Sequence, residues 1–154
     1  MFLASDKLKD RERKVRKFLR SEPGIALLLA AVNFEWTVTR AVLFLSRTPN
    51  AELREKMTKY YSLKGYEDLW KNEILTLGDH EALSKIVRNW SDVKEAFRAR
   101  NVLVHGKDRY TTNMSTPYVE SLLKAVKLVE DYCNDREIYL HNRVPFRRRS
   151  HTIS

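Results

Sequence analysis

The chain has 154 residues, 43% hydrophobic and 32% charged, with a formal net charge of +9 at pH 7. This length suits one domain with a sizeable core, and four glycines with four prolines are too few turns for a many-stranded β-sandwich, so a mostly helical protein is expected. The single cysteine, Cys133, excludes an internal disulfide and points to a reducing compartment; it reads as a small core filler near a helix end.

The charge sits at the ends. Residues 1–20 hold eight Lys/Arg against three Asp/Glu, and residues 143–154 add four arginines and no acid, which leaves the intervening body neutral. Each phosphate contact releases a counterion, so two basic ends on a neutral body favour a polyanionic partner; the bland reading is a solubilising surface. The charged N-terminus has no short apolar run before a small-residue cleavage site, so no secretory leader is expected and the cytoplasm is the expected location.

In chain order, Ser5 can cap a first helix over about 6–20, with Asp6 in its first turn. Its sparse apolar residues, Leu8, Val15, Phe18 and Leu19, predict a charged surface rod. Ser21-Glu22-Pro23-Gly24 breaks the chain. Residues 25–46 are apolar nearly all round and predict a buried central helix. Their length would also span a membrane. However, Asn33, Glu35 and Arg40 fall near the middle, where each charge costs about 2.5–3.5 kcal/mol on insertion scales. No membrane role is expected, and Glu35 and Arg40 need partners within the protein.

Thr48-Pro49-Asn50 ends this helix and Asn50 caps a short one over about 51–61. Another, over about 66–75, lies between Gly65 and Gly78. Asp79 caps a long helix over about 80–105, in which Leu83, Ile86, Val87, Trp90, Val93 and Phe97 recur every three or four residues. Gly106 closes it as a C-cap would. After a polar loop, Ser115 or Thr116 caps a last long helix to about 133, with Pro117 just inside its first turn. Residues 1–22 read as a basic N-terminal helix, 23–142 as the helical domain, and 143–154 as a free, disordered basic tail.

Chemistry gathers at Arg98-Ala99-Arg100-Asn101-Val102-Leu103-Val104-His105-Gly106. An arginine, an amide and an imidazole stand within six residues at a helix end, in an apolar frame. On an ideal helix Arg100 and His105 lie about 140° apart. One undistorted helix therefore does not aim both at one atom, whereas two copies related by a twofold axis would bring Arg100 of one near His105 of the other. No Gly-rich phosphate loop, cysteine pair or helical His pair is present, so no cofactor or metal is expected.

Arg100 and His105, separated by four residues of which the first is the polar Asn101, resemble the signature of HEPN (higher eukaryotes and prokaryotes nucleotide-binding) domains. That signature is an arginine and a histidine with four to six residues between them, the first of these usually polar. Arg98 also meets the longer spacing, but Ala99 follows it. The resemblance covers the motif and its setting, a helix end in an all-helical chain of domain length. The first twenty residues and the arginine tail lie outside it.

The resemblance implies a compact all-α bundle of four to six helices that dimerises through the motif face. It implies a metal-independent endoribonuclease that cuts single-stranded or loop RNA to a 2′,3′-cyclic phosphate, acting as a toxin or antiviral effector with a cognate inhibitor or activator protein. The expected roles are His105 as base or acid, Arg100 gripping phosphate oxygens, and Asn101 orienting either. Glu35 would tether Arg100 or His105 from the central helix. Arg98, Lys107, Arg109 and Tyr110 would bind RNA backbone or stack a base. The alternative is an inactive module of the same fold that binds RNA or nucleotide, or acts as an adaptor or antitoxin-like partner. A third reading is a purely structural dimer. Trp36, Trp70 and Trp90 are expected in the core.

Overall fold

The most apolar stretch of the chain becomes the helix around which the others pack. In a computed structural model, which describes residues 7–106 and 109–149, α2 spans Pro23–Leu45 with the proline in its first turn, where a missing N–H costs nothing. Ala26, Ala30, Ala31 and Ala41 are fully buried beside Leu27, Phe34 and Val38. The small side chains let neighbouring helices approach closely. Those neighbours are α1 (Leu8–Leu19), α4 (Ser62–Glu73), α6 (Trp90–Val104) and α7 (Thr112–Asn134). Two shorter helices, α3 (Asn50–Met57) and α5 (Leu83–Ile86), and a 3-10 turn at Leu75–Leu77 complete an architecture with no strand among the described residues. By length and composition α2 could cross a bilayer; here its buried face is covered by helices of the same chain.

The all-α class matches expectation, but the described residues form seven helices rather than four to six. The expected 80–105 helix is two helices. Val87 leaves helical geometry at φ −85°, ψ 83°, and Asn89 sits at φ −94°, ψ 37°. Tertiary bonds favour the break. The Trp70 indole donates to the Glu81 carbonyl at 2.9 Å, and the Glu81 N–H reaches the Tyr132 hydroxyl at 3.3 Å. Asn89 donates to the Ser121 carbonyl on α7 at 3.0 Å. Leu83, Ile86 and Val87 still meet the core, so periodicity alone could not reveal the interruption.

Helix α7 starts earlier than expected. Thr111, not Ser115 or Thr116, is its cap, accepting from the Met114 N–H at 3.3 Å, and Pro117 lies inside the helix. The Thr112 hydroxyl donates to the Leu19 carbonyl at 3.1 Å, which fastens this start to the end of α1.

Two basic segments expected at the margins belong to the packed body. Arg11 of α1 is 0% exposed. It donates from Nε to Asn33 at 2.8 Å and from a terminal nitrogen to Glu130 at 2.7 Å, with its guanidinium 4.2 Å from the Trp36 ring centre. Such burial is sustainable only because the charge is paired and bonded. At the other end, Arg147 donates to the carbonyls of Thr48 and Leu43 at 3.0 and 2.9 Å, and its N–H to Asn50 at 2.7 Å. Residues 143–149 are thus held against α2 and α3, not free. Ser5, Asp6 and residues 150–154 lie outside the described residues.

Cys133 is buried, and burial pushes its thiol up to about 12. It packs as core, as expected. Trp70 and Trp90 also lie in the core, while Trp36 is half-buried beneath arginines.

Candidate functional site

Helices α2 and α6 run antiparallel. Phe34 meets Phe97 edge-to-face at 5.8 Å and Trp90 at 6.4 Å. A Cβ at Gly24 would touch Leu103 at 3.4 Å. This pairing sets the last turns of α6 beside the first half of α2. The helix ends as its sequence suggests: the Gly106 N–H bonds the Leu103 carbonyl at 3.0 Å, with Gly106 in the left-handed region at φ 65°.

Of the two partners expected for Glu35, Arg100 and His105, it is Arg100 that lies beside it. Its terminal nitrogens donate to Glu35 at 2.7 Å and to the Asn101 side-chain oxygen at 3.0 Å, and its guanidinium lies 5.5 Å from the Phe97 ring centre. Both charged side chains are mostly buried, at 26% and 20% exposed. Burial raises the Glu35 carboxyl above its ordinary value, and the charge and hydrogen bonds of Arg100 oppose that rise. The pair is tense: the carboxylate needs the guanidinium to stay ionised.

Beside this pair opens a groove of about 900 Å³. Its walls combine Tyr61, Lys64 and Tyr66 from α4 and its approach with Lys94, Arg98 and Arg100 from α6. Tyr61 is 76% exposed. Burial raises the Tyr66 phenol, and the Glu35 charge adds to the rise. Lys94, Arg98 and Asn101 line the groove along one face of α6, and His105 is the next position on that line, four residues after Asn101. The imidazole itself is exposed and does not line the groove. A single chain therefore joins Glu35, Arg100 and Asn101, and leaves His105 one turn further on.

The other expected residues are scattered. Arg98 pairs with Glu95 at the groove edge. Arg109 is exposed, and Tyr110 packs its ring edge-on against Tyr118 at 6.1 Å; neither lines the groove. Lys107 lies outside the described residues. Tyr61, Lys64, Tyr66 and Lys94 were not anticipated. For the first three the only sequence signal is aromatic and basic residues mixed near Gly65, distant from the motif; Lys94 lies one turn before Arg98 on the motif's own helix.

Apolar side chains stand exposed on both helices that carry the Arg100–Glu35 pair: Ile25 and Val32 of α2 are 42% and 46% exposed, and Val104 of α6 is 58%. Among the described residues, no three His, Cys, Asp or Glu side chains cluster as a metal site would need.

No family model matches the chain, and no curated protein or solved structure matches it. The HEPN resemblance rests on the motif and its setting alone.

Proposed function

We propose that the protein is a metal-independent endoribonuclease of HEPN type, working as a homodimer that joins two motif faces. The observation that carries this reading is the Glu35–Arg100–Asn101 chain of bonds beside an open groove whose two tyrosines and four basic side chains outnumber Glu35 and Glu67, with His105 next after Asn101 on the same helix face. Bases stack on tyrosine rings while lysines and arginines follow the backbone, a combination suited to single-stranded RNA.

RNA brings its own nucleophile, the 2′-hydroxyl. Its oxygen attacks the adjacent phosphorus and the P–O5′ bond breaks. One imidazole takes the 2′ proton, and the imidazolium of the second chain gives one to the departing 5′ oxygen. The products are a 2′,3′-cyclic phosphate and a 5′-hydroxyl, with no water consumed. Arg100, oriented by Glu35 and Asn101, faces the charge that grows on the non-bridging oxygens. The exposed Ile25, Val32 and Val104 supply an apolar surface for a twofold contact beside the motif.

A second reading, an RNA- or nucleotide-binding module without cleavage, draws support from one observation: Arg100 already holds a carboxylate, and His105 lies outside the groove of its own chain. Purified protein incubated with single-stranded RNA in EDTA separates the two. The enzyme reading expects cleavage to cyclic-phosphate ends, reduced about 10²–10⁴-fold in a folded His105→Ala variant. Intact RNA, bound but uncut by wild type, would leave the binding module.

A further inference from the structure

A second basic cavity lies on another side of α2. It measures about 640 Å³ and is lined by Arg40, Arg54, His141, Arg143 and Phe146, with no acidic side chain on its wall. It shares no residue with the groove beside Arg100, and Arg40 falls about 140° around α2 from Glu35.

The cavity is built by the fold. After α7, Glu137 takes a left-handed conformation at φ 60°, and the chain turns back so that Leu140 is buried. Arg40 donates from Nε to the Leu140 carbonyl at 2.8 Å and from a terminal nitrogen to the Asn142 carbonyl. Its guanidinium lies 5.3 Å from the Trp36 ring centre and 5.5 Å from that of Phe44. These contacts fix its position, but all are to neutral groups. The side chains of Arg54 and Arg143, both exposed, make no hydrogen bond or ion pair among the described residues. Three guanidiniums thus surround one concavity with no counter-charge on its wall. Burial and the neighbouring Arg11 and Arg54 charges also lower the pKa of Arg40 below its ordinary value, so a bound anion would relieve stored repulsion. Phe146 stands at the rim, 74% exposed, with the Arg148 guanidinium 5.3 Å from its ring centre.

We infer that this cavity binds a nucleotide phosphate: Arg40, Arg54 and Arg143 hold the phosphate oxygens and Phe146 stacks the base. Guanidiniums match phosphate geometry in paired hydrogen bonds, and an exposed ring flanked by arginine suits a heterocycle. The nucleotide could come free or as one unit of an RNA strand; the chemistry is shared. The site does not depend on the cleavage reading.

Binding of ATP, inorganic phosphate and a short single-stranded RNA to the full chain tests this, in wild type, Arg54→Ala/Arg143→Ala and Phe146→Ala. Neither arginine carries a bond, so the double variant should keep its melting temperature. ATP affinity should fall about tenfold or more in that variant, since each charge-assisted contact is worth about a factor of ten. Phe146→Ala should weaken ATP but not phosphate, and Arg100→Ala should leave ATP binding unchanged. If the natural source is RNA, the cavity variants weaken RNA more than ATP, which also supports the site. Equal affinity of wild type and the double variant for all three probes, or no binding of any probe to wild type, overturns it.

Discussion

The ion pair of Arg100 with Glu35 decides how the motif behaves. A carboxylate so enclosed is stable only while the guanidinium stays beside it, as the raised pKa of Glu35 indicates. The sign follows. Because the folded carboxyl holds its proton more tightly than its ordinary value of 4.5, stability falls as pH climbs from that value through the folded pKa. Arg100→Ala removes the opposing charge and widens that loss. The variant should match wild type near pH 4 and be about 1–3 kcal/mol less stable near pH 7, by urea titration at both. Glu35→Gln should split the kinetics: KM for RNA falls as Arg100 sheds its rival anion, and kcat falls with its orientation. Parallel changes in both would point to a merely structural role. This pair could be read in the chain, because a buried Glu35 and a motif arginine each needed a partner. The tyrosines and lysines of the groove could not. They lie on α4 and on the polar side of α6, and only the packing of these helices brings them to one wall.

At the scale of elements, unbroken apolar periodicity located α2 and α7, and glycine located the end of α6. The same periodicity misled over 80–105. A pattern that recurs every three or four residues fits one straight helix or two offset ones equally well. What separates them here is nonlocal: the indole of Trp70, the hydroxyl of Tyr132 and the carbonyl of Ser121. The turn after α7 carries its own cost. Glu137 is exposed in a left-handed conformation that glycine adopts freely. Glu137→Gly should therefore raise stability by about 0.5–1 kcal/mol, seen as a higher melting temperature. A lower one would mean that its side chain holds the turn.

For the whole molecule, the described parts of the basic ends, residues 7–20 and 143–149, are not appendages. Arg11 ties α1 to α2 and α7 from the interior, and Arg147 ties the C-terminal segment to α2 and α3. The charge asymmetry was legible. Its destination was not, because sequence reading places arginines at the surface by default and cannot see Glu130 waiting more than a hundred residues away. Arg11→Met should cost about 3–5 kcal/mol by stranding Glu130, and Arg11→Met with Glu130→Leu should recover most of it. Failure of the double variant to recover would assign the loss to Asn33, left without its donor, and to packing on Trp36.

In the proposed enzyme two copies share one cleft, each giving an imidazole to the same phosphodiester. Subunits of wild type and His105→Ala, mixed equally under conditions that exchange dimers, test it most directly through RNA cleavage at fixed total protein. Random pairing leaves only wild-type pairs complete, so activity should drop to about a quarter of the unmixed wild-type value. A drop to about a half, as independent subunits would give, or no cleavage by wild type at all, rules out the shared cleft.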